Sequence, residues 1–483
     1  VPTTTSANPA TSSSRRWAAF AVLLVGAFLP PLDFFIVNVA LPSIQGTLHT
    51  SAAELQLVIS GYAAAYAVFL ITGGRLGDVF GRRRIFLLGV TGFGLTSVIC
   101  GLASSPAMLI LGRVLQGLSA AAMAPQGLAS IHALFPEQER ARALGLYGAA
   151  VGLAAVAAPA LGGALISADV FDLGWRVVFL INLPVVAAVL VFGLPLLPDV
   201  RGDHPAPVDW IGALLCALAL GLLIVPLVEG RELGWPWWAR AMLIACPIAA
   251  VCFCRYEVAY ARRGGMPLIS MDLIRRPGLM SGLTGILFFY VVSAFFLTFS
   301  VYLQAALRMG PLQTGLVFLP FGVGAFVAPL TTPLAIRLFG DRVPAIGMML
   351  EVGGCLLLAA LVAAAPGQMP ARLPLMGAVA LLGFGQGWAL PTLVRAVIDR
   401  APATGSGMIA GITNSALQIS AALGVAVIGG VFFSVAGTSP NPATLSKALV
   451  VAMMCIGGSL TVSAVLSIVA SRSSTHAASP APL

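Results

Sequence analysis

Lysine is almost missing from this chain: one of its 26 basic residues, Lys447, is a lysine. The phosphate-binding loop Gly-x-x-x-x-Gly-Lys-Ser/Thr needs a lysine to reach the β- and γ-phosphates, and Lys447 is followed by Ala448, so ATP hydrolysis by that route is excluded. Charge of either sign is scarce, at 9% of residues, against roughly a quarter in ordinary soluble domains. The four histidines (His49, His132, His204, His476) are scattered, and the seven cysteines lie in or beside apolar runs without metal-ligand spacing to histidine. Their one close pair, Cys252 and Cys254, points to different sides of a helix and reads as packing. No zinc, haem or disulfide framework is legible, so no metal and no cofactor is expected. Gly-x-Ser-x-Gly and His-Glu-x-x-His are also missing, and with no soluble catalytic segment the expectation is a protein that is not an enzyme.

What is present is apolar. Hydrophobic residues make up 59% of 483, and the mean hydropathy is +0.99, far more than a soluble core requires. The net charge of +9 does not point to nucleic acid, because the basic residues are dispersed in short loops and form no patch or stripe. Windows of about 20 apolar residues predict fourteen membrane spans, near 17–41, 55–74, 85–103, 107–134, 143–167, 176–197, 210–229, 239–256, 279–306, 312–338, 343–365, 372–395, 405–434 and 447–470. Alternate loops then hold nineteen basic residues on one side and six on the other, with Arg113 inside a span. That asymmetry predicts an even number of crossings with both termini cytoplasmic, in a multi-pass protein of the cell membrane. Residues 1–16 and 471–483 read as polar cytoplasmic tails, the first disordered and without the apolar core of a signal peptide.

Ionisable residues inside the spans are the candidates for function, because burying a charge in hydrocarbon is costly unless it is paired or neutralised. Asp33 lies in the first span, about 12 Å below its far end, and Arg113 lies about 10 Å inside the fourth, which enters from that same face. Their similar depth predicts a partnership that a proton or a cationic substrate would perturb; a static ion pair kept for specificity is the other reading. Glu351 lies about 12 Å inside the eleventh span and is either a coupling group or a structural hydrogen-bond partner.

Three further motifs surround these residues. Gly74-Arg-Leu-Gly-Asp78-Val-Phe-Gly81-Arg82-Arg83-Arg84 joins spans two and three, and predicts a tight turn in which spaced glycines allow close approach while Asp78 accepts from a neighbouring helix end. The fourth span carries Gly112-Arg113-Val-Leu-Gln116-Gly117. The fifth holds Gly145 and Ala158-Pro159-Ala-Leu-Gly162-Gly163, a proline bend beside glycines that let a neighbouring helix approach. Together with Leu32-Asp33-x-x-Ile-Val-Asn38-Val-Ala-Leu-Pro42, Trp175-Arg176, Asn182-Leu-Pro184, Asp209-Trp-x-Gly212, Tyr302-Leu-Gln304 and the 405–418 segment, these resemble the fourteen-helix drug:proton antiporter branch of the major facilitator superfamily.

The resemblance implies an all-α integral membrane protein of two six-helix bundles, 17–197 and 278–470, with two extra helices in the linker 198–277. It also implies that Gly74, Asp78, Gly81, Arg82 and Arg83 form a gating latch. Gly145, Pro159, Gly162 and Gly163 match an antiporter motif, in which Ala154 and Ala158 replace two glycines. Asp33 and Arg113 take part in proton coupling. A decayed second copy of the latch stands at 333–342, as a pseudo-repeat requires. Substrate contacts are expected among Asp33, Phe289, Phe296, Gln386, Trp388 and Asn414, although aromatic runs also pack and Asn414 is equally a helix-to-helix contact. The expected activity is proton-coupled export of lipophilic, cationic or antibiotic-like compounds by a monomer in contact with lipid and protons. A carrier of metabolites or lipids, and a receptor that transports nothing, are the alternatives.

Overall fold

The computed structural model describes residues 13–198, 208–269, 271, 277–400, 406–437 and 439–477, and among them the regular structure is entirely helical. The helices are α1 (Ser13–Leu48), α2 (Ala52–Phe80), α3 (Arg82–Gly101), α4 (Pro106–Leu134), α5 (Glu137–Ala168), α6 (Val177–Leu180), α7 (Asn182–Leu196), α8 (Trp210–Glu232) and α9 (Trp237–Arg262). They continue as α10 (Pro277–Phe289), α11 (Ala294–Val301), α12 (Pro311–Phe339), α13 (Val343–Ala364), α14 (Arg372–Ile398), α15 (Ser406–Ala436) and α16 (Pro442–Ala477). Twelve stretches are long and apolar enough to cross a membrane, or thirteen when the two parts of α5, bent by 40°, are taken as one span. One of the twelve, Pro311–Ala364, contains both α12 and α13.

Several boundaries differ from the sequence reading for local reasons. The expected turn at 74–84 is nearly all helix: α2 continues through Gly74 and Asp78, and Gly81 alone, at φ 98°, reverses the chain into α3. Gly340, at φ 58°, ends α12 in the same way, matching the repeat read at 333–342. The bend of α5 follows Ala155, whose carbonyl has no N–H to meet at Pro159. The ninth expected span is broken by a 3₁₀ turn at Tyr290–Ser293 and a π turn at Tyr302–Ala306. Helix extends outward to Ser13 and to Ala477, into segments expected as tails. The rest of those tails and most of the Pro198–Val208 loop lie outside the described residues.

Packing gathers α1–α7 and α10–α16 into two groups. Within the first group α2 and α4 approach closely because Gly73 and Gly77 offer no side chain: a Cβ on Gly73 would meet the Ala121 backbone, and one on Gly77 the Gln126 amide. The groups meet where α1 faces α11, α2 faces α15, and α5 faces α12. The additional pair lies to one side: α9 packs on α8, and α8 packs on both α2 and α15. Both described termini emerge at one end of the bundle, since Arg15 bonds the Pro195 carbonyl near the end of α7, whereas Ser446, near the start of α16, accepts from Gly367 N in the turn between α13 and α14 at the other end.

Candidate functional site

Asp33 and Arg113 form an ion pair in which both side chains are wholly buried. Three more polar side chains surround them. Gln116, one helical turn after Arg113, accepts from Arg113 Nη1 at 2.7 Å and donates to Asp33 Oδ1 at 2.9 Å. Asn182 of α7 donates to the same Oδ1 at 2.8 Å, and the Ser97 hydroxyl of α3 accepts from Gln116 at 2.9 Å and from Asn182 at 3.2 Å. Arg113 Nε donates to the Val58 carbonyl of α2 at 3.0 Å, while its guanidinium carbon stands 4.3 Å over the Tyr62 ring. One carboxylate thus joins α1, α3, α4 and α7, with α2 closing the site through the arginine.

The pairing expected from depth is therefore present, with a larger polar network around it. Buried ions need this: the desolvation cost of the pair is offset only when the remaining lone pairs and protons are also satisfied. Satisfaction here stops short of complete, since Arg113 Nη2 and Asn182 Oδ1 have no partner. A proton on Asp33 would turn the pair into a cation beside a neutral acid, and α4 would hold an uncompensated arginine among five helices. Gln116 and Asn182 were quoted in sequence motifs but assigned no role; three-residue spacing from Arg113 was the available signal for Gln116. For Ser97 there was none.

Glu351 of α13 is wholly buried and neither carboxyl oxygen has a partner; Gly385 of α14 leaves room for its side chain. Tyr290 and Cys355 lie within its electrostatic reach, and Tyr66 lies within that of Tyr290 and of Tyr147. Glu351 belongs to the other helix group from the Asp33 network and makes no hydrogen bond to it.

The latch residues fall within the first group. Asp78 accepts from Arg82 at 3.0 Å, Arg82 also donates to the Ala129 carbonyl of α4 at 2.9 Å, and Arg83 bonds the Leu194 carbonyl of α7. None of these bonds reaches the second group. In α5, by contrast, Pro159, Gly162 and Gly163 lie on the seam. A Cβ on Gly163 would strike the Pro311 carbonyl of α12, one on Gly315 of α12 would strike the Pro159 carbonyl, and Gly162 packs on Ile36 of α1. Gly145, nearer the terminal end of α5, has nothing within 4 Å of where its Cβ would stand.

Of the expected substrate contacts, Phe289 and Phe296 sit in the packed core. Phe296 stacks on Phe318 with centroids 5.3 Å apart and meets Phe35 of α1 across the seam at 4.7 Å. Trp388 donates its indole N–H to the Ala328 carbonyl at 3.0 Å and to Thr331 at 2.9 Å, tying α14 to α12. Gln386 is half-buried with an unpartnered amide oxygen, and Asn414 is exposed and bonds its own helix at Ala410. A recess of about 800 Å³ lies between α12 and α14, lined by apolar residues including Leu316, Pro320, Val323, Met376, Leu381 and Phe384, and it contains none of the polar candidates. No group of three or more His, Cys, Asp or Glu side chains among the described residues could hold a metal ion.

The chain is similar to known proteins in sequence and in fold. The model of the Major Facilitator Superfamily matches residues 23–425. The chain is 37% identical over 427 residues to a probable actinorhodin transporter of Streptomyces coelicolor, covering 88% of this chain and 74% of that one. It is 33% identical over 419 residues to the tetracenomycin C resistance and export protein of Streptomyces glaucescens (86% and 76%), and 35% identical over 494 residues to a puromycin resistance protein of Streptomyces alboniger (96% and 93%). Among solved structures, a bacterial homologue of the human lysosomal transporter Spinster superposes with a TM-score of 0.70 over 98% of this chain and all of that one, at 18% identity. Matching a transporter family over most of its length, and carrying many apolar helices able to span a membrane, this chain belongs to the Major Facilitator Superfamily.

Proposed function

We propose that the chain exports lipophilic, cationic or antibiotic-like compounds in exchange for protons, by alternating access. The observation that carries the coupling is the buried Asp33–Arg113 pair, whose hydrogen bonds reach three further groups, the Val58 carbonyl of α2, Gln116 of α4 and Asn182 of α7. Adding or removing one proton there changes the charge that five helices share, which is what a coupling group must do. Export of antibiotics is supported by the names of relatives at 33–37% identity. Counting α5 as one span and Pro311–Ala364 as two supports a reading of fourteen, and the excess of basic residues on the terminal side favours cytoplasmic termini. The bundles are then 17–197 and 278–470, with α8 and α9 between them.

In that orientation the seam is closed on the outer side. Ser300 donates to the Asn38 carbonyl at 2.8 Å, Gln304 to the Val39 carbonyl at 3.0 Å, and the glycines of α5 and α12 interlock beside them. The latch bonds of Asp78, Arg82 and Arg83 stay within the first bundle, as a latch does when it has let go of the second. Glu351 serves as a second protonation or cation site, and Gln386, Trp388 and Asn414 flank the route on the second bundle.

The test is transport in proteoliposomes under an imposed pH gradient, comparing the parent chain with Asp33→Asn. Uphill flux of an antibiotic or lipophilic cation should follow the gradient in the parent and collapse in the variant. Flux indifferent to the gradient would sink the coupling, and undiminished flux in Asp33→Asn would remove Asp33 from it.

A further inference from the structure

The two additional helices carry a buried acidic pair that the transport reading does not use. Asp209 caps α8, accepting from Gly212 N at 2.8 Å and from the Tyr256 hydroxyl of α9 at 2.8 Å, both through Oδ1. Glu257 of α9 accepts from Ile269 N at 2.9 Å through Oε2. The two residues are 2% and 0% exposed, and the second oxygen of each, Asp209 Oδ2 and Glu257 Oε1, has no partner. Those two oxygens converge: a Cβ on Gly212 would run into both, and the carboxyl groups interact directly.

Two carboxylates with facing, unsatisfied lone pairs in a dry site repel each other, whereas one proton between them satisfies both oxygens at once. Charge balance agrees with that count. Among the described residues, the cation facing the pair is Arg75 of α2, and the other titratable groups around it are Tyr256 and Tyr260 of α9 and Cys216 of α8. One arginine neutralises a pair that holds one proton, and not a pair that holds none. The Arg75 nitrogens themselves are committed elsewhere, Nη1 to the Met266 carbonyl at 2.6 Å and Nη2 to the Pro267 carbonyl, so they leave the orphaned oxygens untouched.

We propose that Asp209 and Glu257 form a proton-binding site that holds one proton between two carboxyl groups and fastens α8 and α9 to the end of α2. Its placement provides the consequence. Arg75 directly follows Gly74 at the start of the latch segment, and α8 touches both α2 and α15, one helix from each side of the seam. Losing the proton would set two like charges against each other at the point where the additional helices hold the moving bundle. This site does not depend on Asp33 or on any transported compound.

Glu257→Gln is the discriminating variant, because its amide N–H₂ can donate to Asp209 Oδ2 in place of the proton while its oxygen still accepts from Ile269. The thermal midpoint of the purified parent should fall as pH rises from mildly acidic to mildly alkaline, since the folded state alone holds the shared proton. Glu257→Gln should keep the acidic-pH midpoint and lose that part of the slope. Infrared spectra of the reconstituted protein supply a reading independent of stability: relative to the parent, the protonated-carboxyl band should shrink by one acid in Glu257→Gln and in Asp209→Asn, and by the same one acid when either is made in a Glu351→Gln background. Equal pH slopes in parent and Glu257→Gln, or a band unchanged in both variants, would overturn the proposal. So would a midpoint that follows sodium concentration at constant pH, which would make the ligand a metal cation.

Discussion

Asp33 and Arg113 could be paired from sequence because two numbers sufficed, the depth of each residue in its span and the direction the span runs. What surrounds them could not. Asn182 reaches the carboxylate from 149 positions away along the chain, and Ser97, 64 positions from Asp33, holds the Asn182 and Gln116 amides that bond it; nothing in spacing or hydropathy brings α3 and α7 to one site. The network also decides how the pair responds to substitution. Arg113→Leu leaves Asp33 buried with amide donors only, and removing one member of a buried ion pair costs about 3–5 kcal/mol. Replacing both with Asp33→Leu and Arg113→Leu removes the unpaired charge, so the double variant should be the more stable of the two. Thermal unfolding in detergent checks this, and a double variant that unfolds below Arg113→Leu would show that the polar network, and not the charge, sets stability here.

The helices themselves were legible wherever a long apolar run ended at a break, and misread where the break needed no recognisable signal. Phe289–Leu307 contains neither proline nor glycine, yet it passes through 3₁₀ and π turns. Conversely, three spaced glycines at 74–81 suggested a loop, although one of them makes the turn and the others serve helix packing. Pro159 reads as a bend from sequence and α5 bends beside it, but a second effect of proline is visible only in contact. Pro42 has no N–H for the Asn38 carbonyl, and Ser300 of α11 donates to that freed oxygen. Pro159 was singled out together with Gly162 and Gly163, while their counterpart Gly315 went unnoticed because it lies outside any motif. Gly315→Leu should therefore be as harmful as Gly163→Leu, either lowering the thermal midpoint or holding the seam open, and Gly145→Ala should be close to neutral because open space surrounds it. Accessibility of a cysteine placed on the seam to a water-soluble maleimide would separate the two glycine positions from Gly145.

At the scale of the molecule, two groups of helices meet firmly at the end away from the termini, and the bonds that join them there are few and local. Alternating access requires those bonds to break in every cycle. Ser167 at the end of α5 and Leu312 at the start of α12 are both exposed, and Leu312 N donates to the Ser167 hydroxyl at 3.1 Å across the seam. Cysteines placed at 167 and 312, in a chain whose seven native cysteines have been replaced and which still transports, can be joined by a short thiol-reactive linker; the buried Cys100 and Cys355 take serine or alanine, and that cysteine-free chain is the reference for every comparison. Joined, they pin the outer contact shut and leave the Asp33 network, the latch and α8–α9 unaltered. Export should then stop while binding from the terminal side persists, and cleaving a reducible linker should restore export; each single-cysteine chain should transport normally after the same treatment. Transport that survives complete cross-linking would mean that the seam between α5 and α12 does not open during the cycle, and the moving contact would have to be sought along α2 and α15 instead.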